Sequence, residues 1–436
     1  MSKKPVKVGL FGLGTVGGGV AELLLQHPER WRERLGVDLE LAKAMDLNPE
    51  LARHVGLDAE KFCVYASDII DDPEIDIVVE LIGGTGVARQ LVTQALSAGK
   101  PVVTANKALL ATYGSELFAL ARENGVKLAF EASVGGGIPL IRSLREGLGA
   151  NQITACLGIL NGTCNYILTR MTSEGADFAA VLSDAQRLGY AEADPTFDVG
   201  GMDTAHKLAI TAALATGKLP RIDEIPVEGI TAITPMDISF AKDMGFVIKL
   251  LAVFNLHGNQ AELSVYPALI ENSHQLASVN GPFNAVYARG DWVGDVMLYG
   301  AGAGRQATAS AVVADVLDLA REKLNGGSSL PMTGLGQAIF NPAALSIASR
   351  DEVKGKYYFR FAAHDKPGVL ASIAAILGEK NISIQTMIQK GREQQGGAVP
   401  IVMLTHEASE PAIMAALGAI NALPSVACPT VMLRVV

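Results

Sequence analysis

The sequence of 436 residues has little cysteine, no excess of positive charge and no long apolar run. Its four cysteines, Cys63, Cys156, Cys164 and Cys428, lack the spacing of a zinc site or a disulfide framework, which fits a reducing compartment. The formal net charge is -9 and no basic run occurs, which argues against nucleic acid as a partner. No apolar run reaches the ~18 residues that cross a membrane, and the N-terminus has no signal-peptide pattern. The sequence therefore predicts a cytoplasmic protein with neither a nucleic-acid nor a membrane partner.

Glycine is abundant, and its first cluster directly follows a short apolar segment, VKVGLF. The pattern G-x-G-x-x-G is followed in turn by the helix-like segment GGVAELLLQH. Strand, glycine turn and helix in this order predict a Rossmann domain, because glycines let a pyrophosphate approach the backbone N–H groups at a helix N-terminus. The predicted cofactor contacts are Gly12, Gly14, Thr15, Val16 and Gly17. The alternative, a plain glycine-rich turn, does not require glycine at all three positions.

The second predicted strand ends at Asp46. An acidic residue at this place accepts hydrogen bonds from the adenosine ribose hydroxyls and repels a 2′-phosphate. Asp46 follows the glycines by more than the usual ~20 residues, and the segment PERWRERLGVD accounts for the excess as an insertion. No arginine follows directly, so the residues weakly favour NAD over NADP, although Lys43 or Arg53 could still reach a phosphate.

Three further predicted strands end at the edge of the sheet where open α/β folds bind ligands. IDIVVELI is followed by Gly83, Gly84 and Thr85, which we expect to face the cofactor. PVVTA is followed by Lys107, whose alternative is a solvated lysine that begins a helix. The third strand ends at Glu131. The glycine run after it either holds a hard cation through backbone carbonyls and this carboxylate, or forms a plain turn.

Four acidic residues and one lysine lie in GYAEADPTFDVGGMDTAHKLAI, residues 189–210. The first half is rich in Gly, Pro and Asp and predicts a loop, whereas the second half predicts a helix. Asp203 and Lys207 are four residues apart and therefore share one face of that helix. An exposed pair of this kind is common and weak. Here the flanking residues are apolar almost all round, which predicts a buried helix and makes Lys207 a candidate proton donor.

The order of strands and helices divides the chain into regions. Residues 1–134 form the predicted nucleotide-binding domain, which a helix at about residues 300–325 completes. Residues 135–300 predict an α+β domain with an open sheet for substrate binding, catalysis and dimerisation. Residues 326–354 are poorly periodic and predict a linker. Residues 355–436 show the β-α-β-β-α-β order of a ferredoxin-like domain.

Five of these motifs together resemble homoserine dehydrogenases over nearly the whole chain: GLFGLGTVGGGV, VVTANKALLA, FEASVGGGIPLI, GILNGTCNYIL and above all GYAEADPTFDVGGMDTAHKLAI. The C-terminal segment, with DKPGVL and NISI, resembles an ACT domain. The resemblance implies reversible, NAD(P)H-dependent reduction of L-aspartate 4-semialdehyde to L-homoserine, on the route to threonine, methionine and isoleucine. It also implies feedback regulation through the ACT domain, a homodimer or homotetramer, and the form of the enzyme without an aspartate kinase domain.

The resemblance assigns roles to individual residues. Lys207 is the acid–base residue, and Lys107 lies between cofactor and substrate. Glu192 and Asp203 bind the substrate's ammonium and hydroxyl groups through charge-assisted hydrogen bonds. The resemblance also implies that Gly189 and Gly302 contact the cofactor. It implies a monovalent cation, such as sodium, held by Glu131 and the backbone oxygens of Val134, Gly136 and Ile138. Finally, it implies an effector, threonine in the family, that is bound by Asp365, Gly368, Val369 and Asn381.

The chain departs from the family pattern at two positions. A basic residue that favours NADP often precedes the acidic residue closing the second strand, and Met45 stands there instead. The preference between NAD and NADP therefore stays open. Ala307 stands where a proline is common, and we expect no effect of this change on the chemistry.

Two other functions were weighed against this one. An acylating aldehyde dehydrogenase would use Cys164 as its nucleophile, but no base is evident near it in the sequence. An amino-acid sensor that has lost catalysis predicts damage at Lys207, Asp203, Glu192 or the glycine loop, and all four are intact.

Overall fold

A computed structural model describes residues 4–326, 346–389 and 397–436. Two compact units make up the chain. Unit 1 comprises Met1–Gly162, Asp203–Ile225 and Phe283–Leu345, and unit 2 comprises Thr163–Met202, Pro226–Pro282 and Ser346–Val436. The domain boundaries drawn from the sequence stay a prediction, and residues 327–345 of the predicted linker lie outside the described residues. Across the described ranges, no helix has both the length and the apolar character that a membrane span requires.

Strands and short or long helices alternate along the described chain. The strands are β1 Val6–Phe11, β2 Leu39–Met45, β3 Phe62–Cys63, β4 Ile77–Glu80, β5 Val102–Thr104, β6 Leu128–Ala129, β7 Ile153–Ile159, β8 Phe246–His257, β9 Gln260–Glu271, β10 Phe283–Gly290, β11 Gly294–Ala301, β12 Ser346–Ile347, β13 Lys354–His364, β14 Ile384–Gln389, β15 Ala398–Thr405, β16 Ala408–Ser409 and β17 Val426–Val435. The α-helices are α1 Thr15–Gln26, α2 Pro28–Leu35, α3 Pro49–His54, α4 Ser67–Ile70, α5 Val87–Ser97, α6 Lys107–Glu123, α7 Leu140–Arg142, α8 Gly162–Glu174, α9 Phe178–Arg187, α10 Thr196–Val199, α11 Met202–Thr216, α12 Pro235–Asp243, α13 Arg305–Leu324, α14 Val369–Glu379 and α15 Glu410–Asn421.

Unit 1 is built around a six-stranded parallel sheet in the order β3-β2-β1-β4-β5-β6. This is the order of a Rossmann fold, so the predicted fold class is confirmed. The sheet forms one apolar core with α1 and α13, to which Leu10, Val20 and Val316 contribute. Unit 1 also contains β7, β10 and β11, which lie side by side in antiparallel pairs in the order β11-β10-β7.

The turn between β1 and α1 requires glycine at two positions. Gly12 has φ +90°, in the left-handed region where other residues are strained. At Gly17, an added Cβ atom would lie 1.9 Å from the carbonyl oxygen of Gly12. The helix can therefore begin this close to the strand only without a side chain at Gly17.

Unit 2 contains β8, β9 and a C-terminal domain with the predicted ferredoxin-like order. There, β13, α14, β14, β15, α15 and β17 follow one another, and the strands lie in the order β17-β13-β15-β14 with antiparallel pairing. Helices α14 and α15 cover one face of this sheet, burying Phe359, Ile373 and Ile413 in a common core. The sheet continues from β17 to β9 through parallel pairing at Arg434 and Ala268.

A buried ion pair joins α12 to β13 within unit 2. The carboxylate of Asp237 is fully buried. Its Oδ1 lies 2.5 Å from Nε of Arg360, and its Oδ2 lies 3.1 Å from Nη2 of the same guanidinium. The hydroxyls of Tyr358 and Thr234 also donate to it, at 3.2 and 2.6 Å. Every lone-pair direction of this carboxylate thus has a donor close to it.

Candidate active site

Asp203 lies in the first turn of α11 and brings two predicted lysines together. Its side chain is 5% exposed. Oδ1 lies 3.0 Å from Nζ of Lys107, the first residue of α6, and Oδ2 lies 2.7 Å from Nζ of Lys207. Asn161 donates from Nδ2 to the same Oδ2 at 2.9 Å. One buried carboxylate therefore holds both lysines that the sequence had singled out.

Lys207 is almost buried, with a side chain 12% exposed. Its ammonium donates to Asp203 and, at 2.6 Å, to the carbonyl oxygen of Leu160. That carbonyl is itself fixed by Asn284, whose Nδ2 donates to it at 2.9 Å. An ammonium has three N–H donors. Two are engaged within the part of the chain that the structure describes, which leaves one for a ligand oxygen.

The electrostatic setting keeps Asp203 ionised. Burial alone would raise its pKa, but the positive charges of Lys207 and Lys107 and the hydrogen bonds from Lys207 and Asn161 outweigh burial and lower the pKa below its ordinary value. Burial and the charge of Lys107 also lower the pKa of His206, which favours the neutral form of this neighbouring imidazole. The cluster therefore carries two cations and one anion.

The loop after β4 is braced by a residue that the sequence analysis missed. Glu80 is fully buried, and its Oε1 accepts from the backbone N–H groups of Ile82 and Gly83 at 2.8 and 3.0 Å. Its Oε2 accepts from the hydroxyl of Thr104 in β5 at 2.7 Å. Asn106 donates from Nδ2 to the carbonyl oxygen of Gly84 at 2.6 Å. The single acidic residue in the otherwise apolar strand β4, with the sequence IVVE, was the available signal.

Asp46 lies directly after β2, beside the glycine turn, as its sequence position predicts. Its Oδ2 accepts from the N–H of Leu13 at 2.7 Å, and its Oδ1 accepts from the N–H of Asn48 at 2.9 Å. The two basic groups nearest in sequence are occupied elsewhere. Lys43 lies 3.1 Å from a carboxylate oxygen of Asp72, and Arg53 lies 2.5 Å from one of its own helix neighbours.

The other predicted cofactor residues of unit 1 fall into exposed turns. Gly83, Gly84 and Thr85 are exposed between β4 and α5, and Gly14 and Thr15 are exposed at the start of α1. Val16 is half-buried. Gly302 is buried, and an added Cβ atom there would lie 2.0 Å from the side chain of Asn284, the residue that fixes the Leu160 carbonyl.

The predicted cation ligands follow β6 in one buried stretch. Glu131 is 4% exposed, and its two carboxylate oxygens accept from the N–H groups of Ile141 and Arg142 at 2.8 and 2.9 Å. Burial raises the pKa of Glu131. Asp315 in α13 accepts from the N–H of Glu131 at 2.8 Å, and burial raises the pKa of Asp315 to about 7. The predicted backbone ligands at Val134, Gly136 and Ile138 are buried too.

Two predicted site residues, Gly189 and Glu192, belong to unit 2, where they lie exposed after α9. Their segment is held by the hydroxyl of Thr163, which donates to the carbonyl oxygen of Tyr190 at 2.6 Å. Within the predicted loop, residues 196–199 form the one-turn helix α10. Cys164, the nucleophile of the acylating alternative, is buried and its thiol donates to a backbone carbonyl at 3.3 Å.

The predicted effector residues lie at two ends of α14. Asp365 and Gly368 precede the helix and Val369 begins it, whereas Asn381 follows its end with φ +57°. The helix has 11 residues, which at 1.5 Å per residue separates its ends by about 16 Å. Within one copy of the chain, the four residues therefore do not form a single small site.

Reduction of a carbonyl compound by a nicotinamide requires a site that binds the dinucleotide and a positioned proton donor. Unit 1 combines a Rossmann sheet with a buried lysine, and this combination defines the class as an NAD(P)-dependent oxidoreductase. Three family models then match consecutive parts of the chain. They are the homoserine dehydrogenase NAD binding domain at residues 12–131, homoserine dehydrogenase at residues 139–317 and the ACT domain at residues 357–422.

Full-length relatives and solved structures agree with these matches. The homoserine dehydrogenases of Pseudomonas aeruginosa and Neisseria gonorrhoeae are each 46% identical over 435 residues, covering 99% of this chain and 99% and 98% of theirs. The crystal structure of a homoserine dehydrogenase from Thiobacillus denitrificans has a TM-score of 0.92 at 44% identity, covering 100% of this chain and 99% of that one. A hyperthermophilic archaeal homoserine dehydrogenase in complex with NADPH has a TM-score of 0.62 at 28% identity, covering 72% of this chain and 98% of that one.

The chain belongs to the homoserine dehydrogenase family. It is an NAD(P)-dependent oxidoreductase with homoserine dehydrogenase activity, and its C-terminal ACT domain suggests allosteric regulation. The resemblance inferred from the sequence motifs is thereby confirmed.

Proposed function

We propose that Lys207 is the proton donor and acceptor in the reversible reduction of L-aspartate 4-semialdehyde to L-homoserine. The observation that carries this proposal is the arrangement of Lys207 and Lys107 on opposite oxygens of buried Asp203, at 2.7 and 3.0 Å. When bound, the nicotinamide cofactor supplies the hydride. Lys207 gives a proton to the substrate oxygen as negative charge builds on it, and takes the proton back in the reverse direction.

Asp203 and Lys107 prepare this proton transfer. The carboxylate and the Leu160 carbonyl fix two of the three N–H bonds of Lys207, so the ammonium presents its third in a set direction. Lys107 stands at the end of β5, at the strand edge where a Rossmann sheet receives its cofactor, with a side chain 33% exposed. We infer that Lys107 orients the polar groups of the substrate beside the cofactor, and that Asp203 also accepts from the substrate hydroxyl.

Glu192 is the proposed partner of the substrate ammonium. Its exposure leaves the carboxylate available for a charge-assisted hydrogen bond. Its backbone is held in place, because Gln186 donates from Nε2 to the carbonyl oxygen of Glu192 at 3.1 Å. Gly189, three residues earlier in the same exposed segment, is proposed to contact the nicotinamide end of the cofactor.

The residues around the glycine turn fit a dinucleotide and favour NAD. Gly12 adopts the left-handed conformation of the turn and Gly17 lets α1 begin close to β1, which is the turn that offers a pyrophosphate the N-terminus of a helix. Asp46 presents a carboxylate where the adenosine ribose is expected, and a 2′-phosphate there would be repelled. Lys43 is held by Asp72 and by the backbone of Asp68, so neutralising a phosphate with Lys43 requires breaking these contacts.

We propose a structural monovalent cation, sodium by analogy with the family, at the Glu131 stretch. Hard cations take carboxylate and carbonyl oxygens, and Glu131 offers a buried carboxylate next to buried backbone at Val134, Gly136 and Ile138. A cation there would also stabilise the ionised form of Glu131, which burial disfavours. The expected effect of replacing sodium by a large organic cation is a lower melting temperature, measured by differential scanning fluorimetry.

The ACT domain is proposed to bind threonine between copies of the chain. Gly368 and Asn381 lie at opposite ends of α14, so a site that uses both draws on two subunits. This geometry favours a homodimer or homotetramer. Light scattering at several protein concentrations, with and without threonine, measures both the assembly and its response to the effector.

Steady-state oxidation of homoserine with NAD and with NADP, each with and without threonine, tests these proposals together. A higher kcat/KM with NAD supports the role given to Asp46, whereas equal or better use of NADP contradicts it. Inhibition by threonine supports an effector site in the ACT domain. Unchanged rates at saturating threonine would make that domain an assembly module.

A further inference from the structure

A groove of about 410 Å³ opens in unit 1 between α1, α2 and α13. Its volume lies in the range of small-molecule sites. On α1 it is lined by residues from Gly19 to Gln26, beyond the turn that is proposed to hold the cofactor. None of the residues assigned to cofactor, substrate, cation or effector lines it. Helix α2, which forms one wall, is the PERWRERL segment that the dinucleotide pattern does not use.

One side of the groove is apolar. Leu23 from α1 and Val313 and Leu317 from α13 line it together with the indole of Trp31. Val313 and Leu317 also belong to the core of the Rossmann domain, so this wall is a rigid part of the fold. An apolar body of ligand size would bury its surface here.

Helix α2 adds unbalanced positive charge to the groove. Arg30 and Arg34 line the groove and are four residues apart, so they lie on one face of α2, where like charges repel. Among the residues that the structure describes, neither guanidinium has a carboxylate partner within ion-pair distance. Arg32 on the same helix does, at 2.7 Å from Asp38. The acidic residue of the groove, Glu22, is already paired with an arginine at the start of α13, at 3.0 Å.

Trp31 lies on the same helix as the two arginines and lines the groove with them. The residue is 3% exposed and its indole Nε1 is buried, so this N–H group is not available to a ligand in the groove and the ring is the part that can contact one. The guanidinium of Arg30 lies 5.7 Å from the centre of the same indole ring.

We propose that this groove binds a small organic anion with an apolar body. Its carboxylate or phosphate group lies between Arg30 and Arg34, where it relieves the repulsion of the two guanidinium groups. Its apolar part lies against Leu23, Val313 and the Trp31 ring. The volume of the groove fits a molecule of this kind.

The chain has two tryptophans, and this makes the groove easy to observe. Trp292 is 88% exposed, so Trp292→Phe leaves Trp31 as the sole indole with little cost to the fold. The single-tryptophan protein is titrated with 4-phenylbutyrate while the emission of Trp31 is recorded. We expect a saturable change, weakened at least about tenfold in Arg30→Gln/Arg34→Gln because two charge-assisted contacts are lost. Arg32→Gln, the matched control, should change the affinity by less than about twofold because its contact is on the surface.

Three outcomes would overturn the proposal. The first is the absence of a saturable response in a protein that still oxidises homoserine at the wild-type rate. The second is equal weakening by Arg32→Gln and by the double variant, which would mean non-specific attraction to the helix. The third is inorganic phosphate binding as tightly as 4-phenylbutyrate, which would show that only an adventitious ion binds and that the apolar wall contributes nothing.

Discussion

Two buried aspartates, one in each unit, are surrounded by cations in different ways. Asp237 in unit 2 accepts from two nitrogens of one guanidinium, that of Arg360, while a tyrosine and a threonine hydroxyl occupy its remaining directions. Asp203 in unit 1 forms ion pairs with the separate ammonium groups of Lys107 and Lys207, one on each oxygen, and accepts hydrogen bonds from Lys207 and from one amide. Both carboxylates are nearly or fully inaccessible to solvent.

The two sites differ in how many N–H donors each cation keeps for other partners. The guanidinium of Arg360 donates from Nε and Nη2 to the two oxygens of Asp237, which is the bidentate geometry of a structural ion pair. Each ammonium near Asp203 keeps donors beyond this contact, and Lys107 is one-third exposed. We infer that the pair of Asp237 and Arg360 in unit 2 fixes the ACT domain to α12, whereas the lysines beside Asp203 in unit 1 are positioned to bind a substrate.

Asp237→Asn should produce the largest loss of stability. The substitution leaves Arg360 buried without its counter-charge, which typically costs about 3–5 kcal/mol. Urea unfolding followed by circular dichroism measures the change in the free energy of unfolding. The double variant Asp237→Leu/Arg360→Met removes both charges and should recover most of the loss. If the single variant lowers the free energy of unfolding by less than about 1 kcal/mol, the buried ion pair between Asp237 and Arg360 does not form in solution.

Asp203→Asn should have the opposite profile, with a large effect on turnover and a smaller one on stability. Without the carboxylate, Lys107 and Lys207 repel each other and Lys207 loses its fixed direction, so kcat for homoserine oxidation should fall about 100-fold. The same urea titration should show a smaller loss than for Asp237→Asn. Wild-type kcat in the Asp203 variant would contradict the inference that Asp203 serves turnover whereas Asp237 serves stability.

The stabilising effect of Asp203 should depend on pH. Lys207 and Lys107 hold its pKa below the ordinary value of 3.8 in the folded chain. A lowered folded pKa makes the ionised form stabilising above the unfolded pKa, and this contribution is lost as the pH falls through the folded pKa. The difference in unfolding free energy between wild type and Asp203→Asn should therefore be constant from about pH 5 to 7 and shrink below about pH 4. A difference that grows on acidification would contradict the lowered pKa.

Glu80→Gln should give the smallest of these effects. The amide keeps the shape of the side chain but weakens the hydrogen bonds from the N–H groups of Ile82 and Gly83. If the hydrogen bonds that order this loop weaken by about 1–2 kcal/mol in total, the cofactor KM should rise about tenfold, with little change in kcat. Thr104→Val removes the third partner of Glu80 and the acceptor of the Asn106 N–H, and it should raise KM less. Equal KM values in wild type and Glu80→Gln would show that the loop does not contact the cofactor.

The sequence predicted those features that short-range patterns determine. The glycine turn between β1 and α1, the helix that carries Asp203 and Lys207 and the order of the C-terminal strands all follow from periodicity and turn residues. The sharing of Asp203 between two lysines was not predictable in this way, because Lys107 comes from a different strand end. The same holds for Asn161, which is 42 residues from Asp203 in sequence.

The sequence patterns did not predict the packing of helix α2 or the partners of the buried Glu80. Helix α2 was interpreted only as an insertion, since PERWRERL is polar almost all round and a periodic pattern could not place its single buried residue, Trp31. Glu80 sits in an apolar strand where nothing local reveals its partners. Their contacts depend on how the strand ends meet in space, which a linear pattern does not encode.

The rate of hydride transfer in a single turnover depends on proton transfer at Lys207 and is not limited by product release. With cofactor saturating and homoserine added rapidly, the appearance of reduced nicotinamide is followed for wild type, Lys207→Ala and the exposed-lysine control Lys242→Ala. We expect a rate lower by about 10²–10⁴ in Lys207→Ala, cofactor affinity near that of wild type, and no change in the control. A Lys207→Ala rate within a few-fold of wild type would mean that Lys207 is not the residue that transfers the proton.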